Sequence, residues 1–166
     1  MKRSVSLKKH LVLIFLWPLL LAACQGDGDL DLARNASQEL SFPPAPALSE
    51  ADVALGQQVY AENCAACHGA DLEGEADWKS QNEDRSFRAP PHDASGHTWH
   101  HGDDILIEAI RLGGARLPAN IGGTSTMPAY ADILTDEEIL AVLAYIKSSW
   151  PDDLRRIQWE QTLREQ

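Results

Sequence analysis

The sequence is short of basic residues, of cysteine and of methionine, and each shortage closes off a class of function. Its 166 residues carry 14 Lys and Arg against 25 Asp and Glu, a formal charge of −11. Such a chain does not adhere by charge to a phosphate backbone or an anionic lipid surface, which argues against nucleic-acid binding. Cys64 and Cys67 have no second pair of cysteines to complete a four-ligand zinc site. The βαβ context that a redox C-x-x-C prefers is missing as well. One apolar run, Leu11 to Leu21, stands near the start and is interrupted by Pro18. It is too short for a membrane span. There is no tandem repeat, Walker loop, dinucleotide fingerprint or hydrolase elbow, so no small-molecule substrate is expected.

Against that background one stretch stands out. Cys64-Ala65-Ala66-Cys67-His68 reads C-x-x-C-H, the attachment pattern of c-type haem. Two thiols three positions apart lie on one turn, and each can form a thioether to a haem vinyl group. The following His68 then lies under the iron and offers an imidazole nitrogen as proximal ligand. The small Ala65 and Ala66 let the turn sit flat against the ring edge. The pattern predicts one covalent haem c with Cys64 and Cys67 as its attachment points.

The N-terminus predicts export. Lys2, Arg3, Lys8 and Lys9 precede the apolar run, as in a secretory signal. The run ends Leu21-Ala22-Ala23-Cys24, which is similar to the lipobox of bacterial lipoproteins. With Cys64 and Cys67 taken by haem, Cys24 would otherwise be a lone thiol in an oxidising compartment. Residues 1–23 are therefore read as a signal peptide and Cys24 as lipidated, giving a lipid-anchored protein whose domain faces the periplasm. Losing four of the 14 basic residues with the signal leaves 10 against 25 acidic ones, a formal charge of −15. That charge favours redox protein partners with a basic docking surface. Residues 24–48 read as a flexible tether, poor in large apolar residues and ending Phe42-Pro43-Pro44-Ala45-Pro46.

The folded domain is expected over 49–150. Ser49 with Asp52 opens a first helix that carries Gly56 and Tyr60 and runs into the haem turn. Gly69 to Gly96 is polar and irregular, long enough that it should wrap something, and the haem edge is the obvious object. Within it, the stiff Ala89-Pro90-Pro91 turn offers a carbonyl. A ligating histidine needs its second nitrogen held by an acceptor, so the carbonyl of Pro90 is read as the partner of His68. His92, His97, His100 and His101 crowd ten positions, which suggests either a metal site or hydrogen bonding at the haem propionates. Trp99 is placed over the haem edge, donating its N–H to a propionate. Asp103 to Leu112 has a helical apolar face. Thr135 with Glu138 forms a capping box ahead of Ile139, Val142, Leu143, Tyr145 and Ile146. Residues 151–166 form a C-terminal extension, with Asp152 capping a short helix whose apolar face is Leu154, Ile157, Trp159 and Leu163. The chain has two methionines, and Met1 leaves with the signal, so a thioether ligand to iron can only be Met127.

From Ser49 to Trp150 the order of elements resembles a bacterial class I single-haem cytochrome c domain. The resemblance rests on Gly56 and Tyr60, on Cys64 to His68, on Ala89-Pro90, on Met127-Pro128-Ala129-Tyr130 and on Val142 to Ile146. It implies an all-α cytochrome c fold, a small helical domain wrapped around one covalent haem. It implies that Gly56 and Tyr60 cross Val142 and Tyr145 where the first and last helices meet. It implies His68 and Met127 as axial ligands, and a one-electron carrier rather than an enzyme. His92 departs from the family pattern, which commonly has an apolar residue there. The lysines that many soluble members use for docking are also lacking from the first helix and the haem turn. Two other readings remain open: a haem-linked copper-handling protein that uses the histidine cluster, and a haem sensor with an open sixth site.

Overall fold

The computed structural model describes residues 42–166. The signal peptide expected over 1–23, the lipidation expected at Cys24 and the tether as far as residue 41 lie outside the described residues. The described chain is helical: α1 (Glu50–Asn63), α2 (Ala65–His68), α3 (Asp103–Leu112), α4 (Asp136–Ser148) and α5 (Asp152–Arg164). Single 3₁₀ turns lie at Thr98–His100 and Gly113–Arg116. Among the described residues, β-pairing amounts to two isolated bridges, Gln81 with Phe87 and Ser86 with Thr124.

Local chemistry explains the helix boundaries. The Ser49 hydroxyl receives the Asp52 amide at 3.4 Å, and Glu50 and Asp52 place negative charge on the first turn of α1. Thr135 and Glu138 form a complete capping box at α4: the Glu138 amide donates to Thr135 Oγ1 at 3.2 Å, and the Thr135 amide donates to Glu138 Oε2 at 2.8 Å. These bonds favour the ionised carboxylate and hold Glu138 below the usual carboxylate range. Helix α4 buries Ile139, Ala141, Val142, Leu143 and Ile146.

Helices α1 and α4 cross at Gly56. A Cβ there would overlap the Ala141 carbonyl and come within 2.9 Å of Tyr145 Cβ, so only glycine allows this approach. The nearest neighbours of Gly56 are thus Ala141 and the expected Tyr145. One turn on, the Tyr60 and Tyr145 rings pack with centroids 5.3 Å apart.

Helix α5 departs from its expected face. Its buried residues are Gln158 and Thr162, while Leu154, Ile157, Trp159 and Leu163 are only half-buried. The reason lies in α3, which starts at Gly102 without a capping side chain of its own. Helix α5 supplies the missing acceptors. The Gly102 amide donates to Glu165 Oε2 at 2.9 Å, and the Asp103 amide donates to Thr162 Oγ1 at 3.1 Å. Gln158 Nε2 donates to the His101 carbonyl at 3.1 Å and to Asp103 Oδ1 at 2.7 Å. Lys147 of α4 pairs with the same Asp103 carboxylate at 2.5 Å. The buried side chains Gln158 and Thr162 are thus hydrogen-bonded, as burial of polar groups requires. Asp152 is not the cap of α5: Pro151 holds that position, and Asp152 is the first helical residue, accepting from Arg155.

Candidate functional site

Helix α2 is one turn long, and it carries the whole attachment motif. Cys64 caps it, and the amides of Cys67 and His68 both donate to the Cys64 carbonyl, at 3.1 and 2.9 Å. Gly69 ends it with φ +82°, in a region that L side chains rarely adopt. The turn is held at both ends by tyrosine hydroxyls. Tyr60 donates to the Gly69 carbonyl at 2.9 Å, and Tyr130 donates to the Asn63 carbonyl at 2.5 Å.

His68 is 8 % exposed, and its Nδ1 lies 2.9 Å from the carbonyl oxygen of Pro90. A carbonyl only accepts, so Nδ1 carries the hydrogen and Nε2 keeps its lone pair. Burial lowers the pKa of His68, opposed by the Pro90 acceptor and by Glu75, so the ring is neutral at pH 7. A neutral imidazole with Nδ1 held and Nε2 free is the form that ligates a metal. Burial also pushes the Cys64 thiol up to about 11, with Cys67 adding to the effect. A thiol so far from ionisation is not an activated redox nucleophile.

A cavity of about 550 Å³ opens beside this turn. Cys64, Cys67 and His68 line it from α2, and Met127 lines it from the loop after the Gly113–Arg116 turn. Leu106 and Ile110 of α3 with Val142, Leu143 and Ile146 of α4 give it an apolar wall. Trp78, Asn82, Phe87, Arg88 and Pro90 come from the irregular segment, which therefore wraps the cavity. The volume is that of a cofactor site. His97 belongs to the same lining, and its Nδ1 is buried without a hydrogen-bond partner. The residues present therefore fit a haem: two thiols and a neutral imidazole on one side, a thioether residue in the same lining, apolar side chains between, and polar groups beside Arg88 and Arg116.

The Met127 loop is tied down along its length. The Gly114 amide donates to the Met127 carbonyl at 2.9 Å, and the Tyr130 amide to the Ile110 carbonyl at 3.1 Å. Gly113, with φ +56°, is required here because a Cβ would overlap the carbonyls of Met127 and Pro128.

Other expected residues are dispersed. Trp99 is not among the cavity-lining residues; it packs against the hydrophobic core and stacks on His100, with centroids 3.7 Å apart. Its Nε1 is buried without a hydrogen-bond partner. The four clustered histidines make a mixture of contacts, with other residues and with one another. His92 stacks on His68 with centroids 4.1 Å apart, and its Nδ1 bonds the Thr98 hydroxyl at 2.9 Å. Burial pushes His92 down to about 3, with His68 and His97 adding to the shift. His97 stacks on Trp78, and His101 meets His97 edge-on. Among the described residues no group of three or more His, Cys, Asp or Glu is arranged to hold a metal ion. Sequence reasoning gave no role to Trp78, Asn82 or Arg88, since an irregular polar segment has no periodicity to say which side chains turn inward. It quoted Tyr130 as part of a motif without finding its hydroxyl contact.

Residues 53–150 match the family model described as Cytochrome c. The chain is similar to chloroplastic cytochrome c6 of Chlamydomonas reinhardtii, 34 % identical over 119 residues that make up 69 % of this chain and 66 % of that protein. It therefore spans just under two thirds of that relative. It is similar to cytochrome c6 of Tetradesmus obliquus, 32 % identical over 58 % of this chain and 89 % of that protein. Cytochrome c6 of Diacronema lutheri is 30 % identical, over 58 % of this chain and 95 % of that protein. No solved structure matches significantly.

Proposed function

The chain belongs to the cytochrome c family, and on that premise we propose that it is a membrane-tethered electron carrier with one haem c held between His68 and Met127. The observation that carries the reading is that His68 and Met127 line one cavity, to which α3 and α4 contribute an apolar wall. The chemistry that haem supplies there when bound is exchange of one electron between Fe(III) and Fe(II). The protein supplies the rest. Cys64 and Cys67 hold the group by covalent bonds. Pro90 orients His68 and keeps its Nδ1 protonated. A thioether from Met127 favours the ferrous state and raises the potential. The apolar wall from α3 and α4 excludes water, which lowers the dielectric around the charge change. The Met127 loop in the cavity lining counts against a sensor with an open sixth site.

The tether and anchor rest on Leu21-Ala22-Ala23-Cys24 and on the Pro-rich stretch after it. Electron exchange needs only small, transient contacts, which a tethered domain can make repeatedly. Partners with a basic surface are favoured by the −15 charge of the chain after residue 23, counted as 10 basic against 25 acidic residues.

The test is a redox titration of the purified protein with its mass. The reading expects the mass of one added haem, retained on denaturation, and a reversible one-electron transition. Replacement of both Cys64 and Cys67 by Ser should abolish retention. Haem that washes out of the denatured wild type would contradict covalent attachment.

A further inference from the structure

We propose that Tyr130 is a positioning residue that ties the Met127 loop to the haem-attachment turn, so that the two sides of the site hold or open together. The proposal rests on the reading of Met127 as the sixth ligand. It is carried by a hydrogen bond between segments far apart in sequence. The Tyr130 hydroxyl donates to the carbonyl of Asn63 at 2.5 Å, 67 positions away. Asn63 is the last residue of α1 and immediately precedes Cys64. Tyr130 lies three residues after Met127, on the same loop.

The contact is rigid at both ends. On the attachment side, the Asn63 side chain donates to the Val59 carbonyl at 3.0 Å, and the Cys64 amide donates to the Tyr60 carbonyl at 2.8 Å. The carbonyl that receives Tyr130 is therefore part of a fixed helix end. On the loop side, the Tyr130 amide bonds Ile110, and the amides of Ile133 and Leu134 both return to the Tyr130 carbonyl, at 3.0 and 2.9 Å. The ring itself is in the hydrophobic core, 9 % exposed. Burial, the largest cause, raises its pKa, so the hydroxyl remains a donor at neutral pH.

The helix end at α1 leaves the Asn63 carbonyl without an intrahelical donor, because the chain turns into α2. Tyr130 satisfies it. If the Met127 loop lifts, that acceptor loses its partner, and the two losses are coupled. Phenylalanine at 130 would keep the ring in the core and remove only this link.

Imidazole competition on the ferric holoprotein tests the coupling. Added imidazole can bind the iron only where the sulfur has left, so its apparent affinity reports the opening equilibrium of the Met127 loop. The weak far-red band of sulfur-ligated ferric haem reports the closed state. Wild type should show the band and lose it as imidazole binds. Tyr130→Phe should show the band but bind imidazole about tenfold more tightly, a change of about 1.4 kcal/mol, in the range of a buried hydrogen bond whose acceptor is left unpaired. The far-ultraviolet helical signal should stay constant through the titration, which separates local opening from unfolding. Equal affinities within twofold, in a wild type that has the band, would overturn the role of Tyr130 and leave Met127 as ligand. A tenfold change accompanied by loss of helix would overturn it as well. A wild type without the band would overturn the ligand reading and the coupling with it.

Discussion

At the residue scale the attachment chemistry was the most legible part of the chain. Haem attachment requires two thiols three positions apart and a histidine next to the second, and Cys64, Cys67 and His68 match that pattern as a string. The partner of His68 was legible for a related reason. Proline 90 has no amide to donate but keeps its carbonyl, which sits 2.9 Å from Nδ1. Trp99 is not among the cavity-lining residues, and a neighbouring residue number says nothing about which way a side chain turns in a 3₁₀ segment. Tyr60 yields the first prediction. Its hydroxyl fills the Gly69 carbonyl at 2.9 Å, and Tyr60→Phe should cost about 0.5–1.5 kcal/mol in denaturant unfolding. Burial, the largest cause, raises its pKa well above the usual tyrosine value. The neighbouring Cys64 contributes to that shift only as a thiolate, an effect that a thioether removes. The sign for stability follows from linkage. A tyrosine whose folded pKa lies above its unfolded value of 10 contributes stability that is complete below pH 10 and declines as pH climbs from there. Absorbance near the tyrosinate band should therefore show Tyr60 ionising only with unfolding, and a Tyr60 that titrates near 10 in the folded protein would contradict its burial.

At the element scale the helices were legible from capping and periodicity, and their contacts less so. Thr135 and Glu138 announce the start of α4, and the capping box is formed. Because these bonds hold the Glu138 pKa low, its contribution is present above the unfolded value of 4.5 and fades as pH falls through the folded value. Gly56 signalled a close helix approach, and the partner proved to be the Ala141 carbonyl. Gly56→Ala should destabilise by about 1–3 kcal/mol, the usual cost of overpacking, read as a lower unfolding midpoint. An unchanged midpoint would mean the helices slide apart freely. Helix α5 was read from its apolar residues, yet it docks through Gln158 and Thr162. Propensity cannot reveal that a helix elsewhere lacks its own cap. Gln158, 1 % exposed, should cost about 1–3 kcal/mol on replacement by Ala, since the His101 carbonyl and Asp103 carboxylate lose a donor. Trp159→Ala on the half-buried face should cost less, and the reverse order would restore the apolar face as the docking surface.

At the scale of the whole molecule, charge and covalent anchoring are read from composition and from residues outside the described part. Reaction with a basic partner should slow as ionic strength rises, because screening shortens the reach of the −15 charge counted as 10 basic against 25 acidic residues. A rate that is flat from low to high salt with such a partner would contradict electrostatic docking. Cys24→Ser should move the protein from the membrane fraction to the soluble exported fraction. The long irregular segment was legible as a wrapper and not in its detail, since cavity-facing residues such as Trp78 and Arg88 follow no period. The account as a whole turns on His68 and Met127 sharing one iron across the cavity they both line. The most direct measurement is the ferric absorption spectrum of the wild type beside Met127→Ala. The weak far-red sulfur-to-iron band is expected in the wild type and absent from the variant, whose reduced form should also bind carbon monoxide at the vacated position. A wild type without the band, spectrally identical to Met127→Ala, would contradict the account.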